Sequence, residues 1–508
     1  MTYKRRISAL AAAAVGALAL SACGGGASTA GSDGGSKSLT LGSVVEASAW
    51  DPAQAHVGHY IPMYEAAYDT LILRSPDGQL EPMLATDWSW SKDKKLFTLN
   101  LRDDVTFSDG ATFDGEAVKA NFEHFKKDNG PQASTMQNVE SVEVVDADTV
   151  AYHLSAPDPA LPIYLSNAAG FMGSPQALES QAIDSVPVGS GPYVMDESAT
   201  IAGSQYTFKK REGYWNPELQ KFDTVTFKVM PDTTARLNAL VSGQIDAALL
   251  DPKSEAQASG AGLVLTKQQV DWQGMFLFDR AGDQVKALGD VKVRQAINHA
   301  IDRKSILDAV LLGQGTVTSQ IFGESTSAFD ESLENYYDYD PAKAKELLAE
   351  AGYADGFTLK MPSATGFDPV IYSSITQQLG AIGITVKQEN LEGNEFRNRV
   401  LSGDYPASYY GIFQGEPWIA IGHHVGKDAA FNPQGYTDAT SQKLIDRVQQ
   451  GGKDGDDAAK ELNRYVTEQA WFVPFFRVDQ MFFNSKDITV QQQIQQAVPS
   501  LYNYAPAA

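Results

Sequence analysis

The chain has 508 residues with 63 acidic and 40 basic side chains, which gives a formal charge of −23 at pH 7. A body this acidic is repelled by phosphate backbones and by anionic lipid headgroups, so the composition argues against nucleic acid as a partner. The length exceeds what one hydrophobic core supports and predicts two or three domains, and a single cysteine excludes a disulfide framework.

The N-terminus has the pattern of a secretory signal peptide. Three basic residues at 4–6 precede an alanine-rich apolar run at 7–20, which is shorter than the roughly 20 apolar residues of a membrane-spanning helix. The run ends in Leu20-Ser21-Ala22-Cys23, which resembles the bacterial lipobox, in which the cysteine thiol receives a diacylglycerol. We therefore expect residues 1–22 to be removed and Cys23 to be lipidated. The alternative is an ordinary signal peptide with a stray cysteine.

The segment after the cysteine is typical of a tether. Residues 24–36 are nearly all glycine, serine, alanine and threonine, with no apolar side chain large enough to anchor them. We expect residues 23–37 to form a lipidated flexible tether with an r.m.s. reach of roughly 20 Å. The sequence thus predicts a protein anchored by lipid to the extracytoplasmic face of the bacterial cell membrane.

Beyond the tether, alternating apolar and polar residues predict strands. Two of them form a hairpin around the turn Asp146-Ala147-Asp148. The predicted strands are Leu39 to Leu41, Leu96 to Leu101, Val142 to Val145, Val150 to Leu154, Tyr206 to Lys210, Val225 to Met230, Ile384 to Val386 and Tyr409 to Phe413.

Capping residues and apolar stripes predict helices between these strands. Their alternation with strands in the second half predicts an α/β fold. Gly451 to Asp456, in contrast, has the composition of a loose loop. The predicted helices start after Asp114 (with Val118, Phe122 and Phe125 on one face), near Val293, after Asp302, after Asp340-Pro341 (ending at Gly352), near Ile371 (ending at Gly383) and near Phe396.

Motifs for catalysis or metal binding are weak. Gly189-Ser190-Gly191-Pro192 lacks the spacing of a nucleophile elbow and indicates a turn. His423 and His424 are adjacent, and on a regular element they would point to different faces, which disfavours a shared metal. His56 and His59 have no cysteine or carboxylate within their stretch. We therefore expect no catalytic residue, no metal and no cofactor.

Aromatic residues next to glycine, proline or strand ends indicate ligand binding instead of catalysis. They can line a ligand cleft, because a flat ring gives a large contact area with few rotatable bonds. The alternative for each of them is a place in the hydrophobic core. The candidates are Trp50, Tyr60, Trp272, Tyr409, Tyr410, Phe413 and Trp418.

Eight motifs, in order, resemble one family. Val188-Gly189-Ser190-Gly191-Pro192-Tyr193, for example, resembles its "iGTGPY" element, with serine in place of threonine. The chain is similar to the extracytoplasmic solute-binding proteins of family 5, the peptide- and nickel-binding components of ABC importers. The other matching segments are Leu80 to Trp88 with Phe97 to Arg102, Val105 to Gly110, Asp114 to Val118, Gly213 to Asn216, Gly243 to Asp246, Val293 to Arg303 and Asp340 to Gly352.

The resemblance implies an α/β fold of two lobes joined by a hinge, the periplasmic-binding-protein fold with an additional inserted domain. It places hinge strands near 265–275 and 475–485. The implied domains are lobe I at 38–80, 187–265 and 481–508, the inserted domain at 81–186, and lobe II at 266–480.

The resemblance also implies binding without catalysis. A ligand that contacts both lobes only in the closed form shifts the hinge equilibrium toward closure. The implied partners are a small solute, an ABC permease and its ATPase subunit, and the protein itself would be a monomer. A secreted hydrolase using paired carboxylates is the distant alternative, and no base–nucleophile spacing in the sequence favours it.

The substrate depends on one stretch, Tyr410 to Trp418. In peptide-binding members a "W-gD--DP" stretch carries an aspartate that receives the α-amino group. Here Glu416-Pro417 can stand for Asp-Pro, but the upstream aspartate is missing. A peptide is the expected cargo, with a metal chelate (with His423 or His424 as a contact) or an oligosaccharide as alternatives. The predicted ligand contacts are Trp50, Trp272, Tyr409, Tyr410, Phe413, Glu416 and Trp418.

Overall fold

The computed structural model describes residues 37–507. The predicted signal peptide, the predicted lipidation site Cys23 and the predicted tether as far as residue 36 lie outside the described residues. Within residues 37–507, none of the helices combines the length and the apolar character that crossing a bilayer requires.

Strands of three to fourteen residues occur throughout the described chain. They are β1 Ser38–Ser43, β2 Ile72–Arg74, β3 Leu80–Pro82, β4 Ala85–Trp90, β5 Leu96–Leu101, β6 Val139–Asp146, β7 Thr149–Leu154, β8 Tyr193–Met195, β9 Gln205–Lys210, β10 Thr224–Val229, β11 Ala247–Leu250, β12 Val264–Leu277, β13 Gly315–Val317, β14 Phe357–Ala364, β15 Ile384–Leu391, β16 Ala407–Phe413, β17 Phe472–Asn484, β18 Ile488–Val490 and β19 Tyr504–Pro506.

Helices alternate with these strands, most densely after residue 290. They are α1 Ile61–Ala67, α2 Gly115–Asp128, α3 Leu161–Tyr164, α4 Pro175–Leu178, α5 Thr233–Val241, α6 Glu255–Gly260, α7 Val291–Ala300, α8 Arg303–Leu311, α9 Pro341–Glu350, α10 Pro369–Ala381, α11 Gly393–Leu401, α12 Pro417–Ala420, α13 Ala439–Gln449 and α14 Gly452–Glu468.

Three predicted helix N-caps are confirmed. In each, an aspartate carboxylate accepts a backbone N–H from the first turn, which otherwise has no partner. The predicted stop of α10 at Gly383 is also confirmed, since this glycine has a φ of +96° that side chains rarely adopt. The caps are Asp114 to Ala117, Asp302 to Ser305 and Asp340 to Lys343.

The loop predicted at 451–456 is wrong. Only Gly451, with a φ of +61°, precedes the helix, and α14 already begins at Gly452. Ala458, Leu462 and Val466 recur at helical spacing and are buried, so their burial outweighs the glycine-rich start.

One large mixed sheet organises the molecule. Its strand order is β16-β12-β17-β11-β1-β10-β9-β8, and β13 is added to β17. β1 runs parallel to both β10 and β11, whereas the other pairs are antiparallel. β12 and β17, with 14 and 13 residues, are much longer than their neighbours, so the sheet continues through them from one end to the other. Long strands therefore lie where hinge strands are expected.

A second sheet has a core of its own. The order β4-β5-β7-β6 is antiparallel throughout, and the predicted hairpin is its β6–β7 pair. Helix α2 covers this sheet with Val118, Phe122 and Phe125, which pack with Phe97 and Leu99 of β5. The strand residues are two positions apart and the helix residues are three or four positions apart. Each set therefore lies on one face of its element, and the two apolar faces pack against each other.

The large sheet has different cores at its two ends. At the β1 end, Leu39, Phe208 and Phe482 pack with α1. At the β16 end, Met275 and Tyr409 pack with the helices around the parallel pair β14–β15. Between these cores the sheet is crossed only by β12, β17 and their short neighbour β13 among the described residues, so this crossing is where a ligand can reach both ends.

Candidate ligand-binding cleft

The pairing between the crossing strands β12 and β17 shifts its register twice, after Gln269 and after Gln273. The first half of β12 pairs with β17 up to Gln269, opposite Asp479, and the pairing resumes at Trp272, opposite Arg477. The extra residues form a β-bulge, a feature that re-aims side chains and is frequent beside functional sites. Asp271 lies in this bulge, in the middle of the crossing.

Asp271 faces an aromatic residue across the sheet. Its direct partner on β16 is Phe413, so the two side chains lie on the same face. Gln480 of β17 donates a long hydrogen bond of 3.4 Å from its Nε2 to Asp271 Oδ2. Phe482, two residues further along β17, shares the face of Gln480 because strand side chains alternate. We call Asp271, Phe413, Gln480 and Phe482 the crossover face.

The carboxylate of Asp271 is poorly compensated. Burial raises its pKa to about 6, and the hydrogen bond from Gln480 opposes this shift only in part. Among residues 37–507, no lysine, arginine or histidine nitrogen lies within ion-pair distance of it. Phe413 and Asp271 are both half-buried, so the crossover face combines an accessible acid with an accessible ring.

An apolar recess adjoins the crossover face at the β1 end. Phe482, Val44 and Val498 line it, together with His59. The Nδ1 atom of His59 is buried without a hydrogen-bond partner among the described residues. Burial, followed by the charge of Arg236, lowers the pKa of this imidazole, which is therefore neutral at pH 7 and can donate or accept a hydrogen bond.

A set of hydrogen bonds joins the two ends beside the crossing. Arg74 Nη2 donates to Gln495 Oε1 (2.6 Å) and lies 3.5 Å from Glu416 Oε1. Gln495 Nε2 donates to the same Glu416 oxygen (3.1 Å) and to the carbonyl of Ser325 (3.2 Å). We call Arg74, Glu416, Gln495 and Ser325 the side bridge. Glu416 is thus already engaged by the protein in this conformation, and its predicted role as a ligand contact stays a prediction.

The two sides of the side bridge belong to different packing units. The carbonyl of Arg74 accepts a hydrogen bond from Gln493. The same C-terminal segment reaches Ser500, which donates to Glu65 of α1, so Arg74 belongs to the β1 end. Glu416 instead precedes α12, whose Ala420 packs in the aromatic core at the β16 end. The side bridge therefore connects the β1 end to the β16 end through side chains alone.

Trp418 lines a second recess, of about 170 Å³. Pro159 and Ile163 form one side, and Gly451 before α14 closes it. Asp158 is buried, which raises its pKa, while hydrogen bonds from Asn138, the Ala160 backbone and Trp418 work in the opposite direction. Helix α3 and the loop before it therefore also touch the β16 end, next to the side bridge.

Three of the predicted ligand contacts lie inside packed cores. Trp50 is 3% exposed and packs edge-on against Tyr206 and Phe208. Trp272 and Tyr409 are fully buried, and the Tyr409 hydroxyl donates to Gln273 Oε1 (2.5 Å). In this conformation the rings supply core packing, and their predicted role as ligand contacts stays a prediction.

The remaining aromatic candidates are more accessible. Tyr410 is half-buried and stacks on Phe396, with ring centroids 5.9 Å apart and planes 7° apart. Tyr60 is half-buried and contacts the ring of His56 at 5.2 Å. The structure therefore brings together Phe413 with Asp271 and Glu416 with Trp418, on two neighbouring surfaces.

The adjacent histidines point to opposite sides, as expected. His423 is exposed, whereas His424 is fully buried against Trp272 and Phe472. Burial lowers the pKa of His424 to about 3, so it is a neutral core residue. The pair cannot share one ion in this geometry.

One group of described residues does combine metal-ligating atoms. His124 Nε2 lies 2.9 and 2.8 Å from the two oxygens of Asp51 and 3.4 Å from Asp128 Oδ2. These are hydrogen-bond distances. The bond to Asp51 raises the pKa of His124, and it helps hold the pKa of Asp51 below its usual value against the effect of burial. An ion pair joining α2 to the segment before Pro52 accounts for the group.

Sequence reasoning missed the polar groups of the crossing. Asp271 is an acid between Val270 and Trp272, which are both buried, and a charge inside such a run is a signal in itself. Its partner Gln480 is 209 residues away in sequence, so no local pattern predicts their contact. Arg74 and Gln495 are likewise joined only by the fold.

Comparison with known proteins adds a family and a fold. Residues 79–419 match the model of the bacterial extracellular solute-binding proteins, family 5 Middle. The glutathione-binding protein GsiB of Salmonella paratyphi A is 32% identical over 353 residues, which are 66% of this chain and 66% of that protein. The chain thus spans just under two thirds of the length of this relative.

Two solved structures extend the likeness to nearly the whole chain. The periplasmic binding protein AgaA of A. tumefaciens R10, in complex with agropinic acid, is 24% identical, with a TM-score of 0.76 over 93% of this chain and 99% of its own. The dipeptide binding protein of Pseudoalteromonas sp. SM9913, in complex with Met-Leu, is 20% identical, with a TM-score of 0.75 over 92% and 100%. The chain therefore has the two-lobed α/β fold of periplasmic binding proteins, as predicted.

Proposed function

The chain belongs to family 5 of the bacterial extracellular solute-binding proteins, and we propose that it is the substrate-binding protein of an ABC importer for a small peptide. It captures the solute between two lobes and delivers it unaltered to a membrane permease with its ATPase. Glutathione is the first peptide to test, because a relative with 32% identity is a glutathione-binding protein.

The observation that carries this proposal is the crossing of β12 and β17. The half-buried side chains of Asp271, Phe413 and Gln480 lie in the middle of the crossing, between two separate cores. A solute bound there contacts both ends of the sheet at once, so its binding energy favours the closed form over the open one.

The side bridge supports closure as the second part of the mechanism. Its hydrogen bonds join Arg74 and Gln495 to Glu416 and Ser325, and they exist only while the two ends lie close together. Bending at the crossing strands would break them. The bound solute and the side bridge then stabilise the same closed form, and release of the solute to a permease requires both to open.

These contacts support the proposed domain arrangement. We assign residues 38–80, 187–265 and 481–508 to lobe I and residues 266–480 to lobe II. Residues 81–186, which include the second sheet, form the inserted domain. Two facts support the assignment: β12 and β17 cross near both junctions, and the second sheet packs around its own core.

The place of the protein in the cell follows from its N-terminus. Cleavage before Cys23 and lipidation of its thiol would hold a monomer on the extracytoplasmic face of the membrane through the tether. Mass spectrometry of the protein from its own membranes would test this, since lipidation adds a diacylglycerol to the N-terminal cysteine. An unmodified Cys23, or cleavage elsewhere, would contradict the anchor.

Calorimetric titration of the purified protein with glutathione and with the dipeptide Met-Leu tests the function. We expect saturable one-to-one binding of at least one of them, and mass spectrometry should recover the peptide chemically unchanged. If the protein binds neither of the two peptides, the peptide proposal is wrong. Hydrolysis of a bound peptide would contradict the absence of catalysis.

A further inference from the structure

We propose that this receptor selects its cargo by length, because two contacts close the space between the lobes around a di- or tripeptide and exclude longer chains. The first contact is the side bridge. The second joins the loop before α3 to helices α12 and α13. This inference rests on the proposed function, since it specifies the substrate class of the same cleft.

The side bridge is built on a segment that the protein holds firmly. We call residues 491–500, which connect β18 to β19, the strap. Gln493 Nε2 donates to the backbone carbonyls of Arg74 (3.1 Å) and Ser75 (2.7 Å), which fixes the strap to the end of β2. Further along the strap, Val498 lines the apolar recess beside the crossover face. The strap therefore runs from that recess to the side bridge and forms a wall of the cleft at the β1 end.

The strap meets the β16 end through one strained residue. Gln495 has a φ of +57°, which residues other than glycine rarely adopt. Its Oε1 accepts from Arg74 (2.6 Å), and its Nε2 donates to Glu416 (3.1 Å). Gln495 is only 5% exposed, although it lies between two packing units. Strain of this kind persists where the surrounding contacts fix it, so the conformation of Gln495 serves the closure of this side of the cleft.

The second contact closes the space from the side of the inserted domain. Gln449 of α13 donates from Nε2 to the backbone carbonyl of Pro157 (3.1 Å). Next to it, Trp418 is hydrogen-bonded to the buried carboxylate of Asp158. Glu416 and Trp418 are two residues apart, so one short segment of the β16 end meets the strap on one side and the inserted domain on the other.

The recess between these two contacts is small. Glu416 borders it next to the side bridge, and Pro159 and Ile163 border it on the opposite side. Its volume of about 170 Å³ is below the roughly 300–1,000 Å³ of pockets for drug-sized ligands. An extended chain grows by roughly 3.3–3.6 Å with each residue, so a peptide longer than a tripeptide that starts at the crossover face has to leave through one of the contacts.

A chain that leaves through the side bridge has to separate its partners. The side chains of Arg74 and Glu416 are 7% and 27% exposed, so solvent replaces their lost contacts only in part. Each hydrogen bond contributes modestly to the closed form, but several of them break together and leave a buried amide unpaired. The length limit is therefore a steep loss of affinity beyond the tripeptide.

The test is a length series on the parent protein. Calorimetric titration compares Met-Leu with forms of it that are extended by alanine, at either end, to a tripeptide, a pentapeptide and a nonapeptide. We expect the tripeptides to bind within about tenfold of Met-Leu and the longer peptides to bind at least about thirtyfold more weakly. This arm needs no variant.

Gln495→Gly tests whether the side bridge sets the limit. Glycine adopts a φ of +57° without strain, so the backbone of the strap is kept while the hydrogen bonds of the amide are lost. We expect the affinity for Met-Leu to fall by no more than about fivefold. The penalty for the pentapeptide, relative to Met-Leu, should shrink at least about fivefold, because the longer chain then has fewer contacts to break.

The matched control is Asn129→Gly. Asn129 is also an amide residue with a positive φ, of +48°, but it is exposed at the C-terminal end of α2. Its replacement should leave the dependence of affinity on peptide length unchanged.

Each outcome has one meaning. Binding of the nonapeptide within about threefold of Met-Leu overturns the length limit and leaves the receptor function intact. A limit that Gln495→Gly leaves unchanged overturns the role of the side bridge in length selection. If no peptide of the series binds the parent protein and glutathione does not bind either, the proposed function is wrong and the length limit falls with it.

Discussion

Glu416 and Asp271 are two acids at the contact between the ends of the sheet, and their surroundings are opposite. Glu416 belongs to the side bridge, where Arg74 and Gln495 approach the same carboxylate oxygen. Asp271 belongs to the crossover face and receives only Gln480. The difference lies in the partners: the carboxylate of Glu416 joins two regions through groups of the chain itself, whereas that of Asp271 has one long hydrogen bond.

The two regions also differ in how they join the lobes. At the crossing, continuous backbone and strand pairing make the connection, so damage there should reduce the stability of the whole fold. At the side bridge, only side-chain hydrogen bonds make it, so damage there should shift the opening equilibrium and leave the fold intact. The predictions below separate these two effects, from the largest to the smallest.

Gly274→Ala should destabilise the protein most. A Cβ at this position would lie 2.3 Å from the carbonyl oxygen of Val473 and 2.7 Å from the Cα of Pro474, both backbone atoms of the paired strand. We expect a loss of about 3 kcal/mol in the free energy of unfolding, measured by urea denaturation.

Gly380→Ala is the control, since no atom lies within 4 Å of a Cβ there. Its position inside helix α10 predicts a small gain, of about 0.5 kcal/mol. Equal stability of the two variants would show that the crossing is not tightly packed.

Acidification should weaken peptide binding through Asp271. Because the pKa of the ligand-free carboxyl is raised to about 6, the charged form dominates at pH 7.5 and the neutral form at pH 5. If the amine of a cationic peptide contacts Asp271, the peptide prefers the charged form, and its affinity should fall about tenfold between these pH values. Titrations of Met-Leu at both values measure the change, and Asp271→Asn should flatten it. A parent affinity that is constant over this range, or rises toward pH 5, would contradict the role of Asp271.

Trp418→Ala should weaken peptide binding about tenfold without unfolding the protein, if the recess beside the side bridge receives part of the solute. The ring lines this recess opposite Pro159 and Ile163. Titration with glutathione and Met-Leu measures the loss. Trp90→Ala is the control, because Trp90 stacks on Phe97 in the second sheet, with a centroid distance of 4.5 Å. Unchanged affinity in Trp418→Ala would remove this residue from the site.

Glu416→Gln should have the smallest effect, about fivefold in peptide affinity, with the thermal unfolding temperature unchanged. The substitution keeps the shape of the side chain but removes the charge that Arg74 and Gln495 approach, at a cost of about 1 kcal/mol to the closed form. Glu395→Gln is a suitable control, because Glu395 is an exposed acid whose nearest base, Arg399, is 3.9 Å away. A loss of thirtyfold or more would mean that Glu416 contacts the solute directly and does not act only through the side bridge.

Sequence reasoning predicted the elements that are defined locally. Asp114, Asp302 and Asp340 mark helix starts, because an N-cap needs only its own first turn. The wrong prediction of a loop at 451–456 has an equally local cause. The glycines in this stretch favour a loop, but they begin a helix whose next buried apolar residue is Ala458. Helix and strand order, and with it the family, could therefore be predicted from the sequence.

The site could be predicted only in part. Phe413 and Trp418 are partly exposed, as a ligand contact requires, but Trp50, Trp272 and Tyr409 have the same appearance in sequence and lie in cores. An aromatic residue does not reveal which face of its strand it occupies until the register is known. The contact of Asp271 with Gln480 depends on a bulge between two distant strands, so it appears only in the folded molecule.

Small-angle scattering with and without saturating Met-Leu or glutathione tests the central claim most directly, because only a hinged receptor becomes more compact around its cargo. We predict a smaller radius of gyration for the protein when peptide is bound than when it is absent. A radius that stays constant while calorimetry reports tight binding would contradict a solute held between two closing lobes.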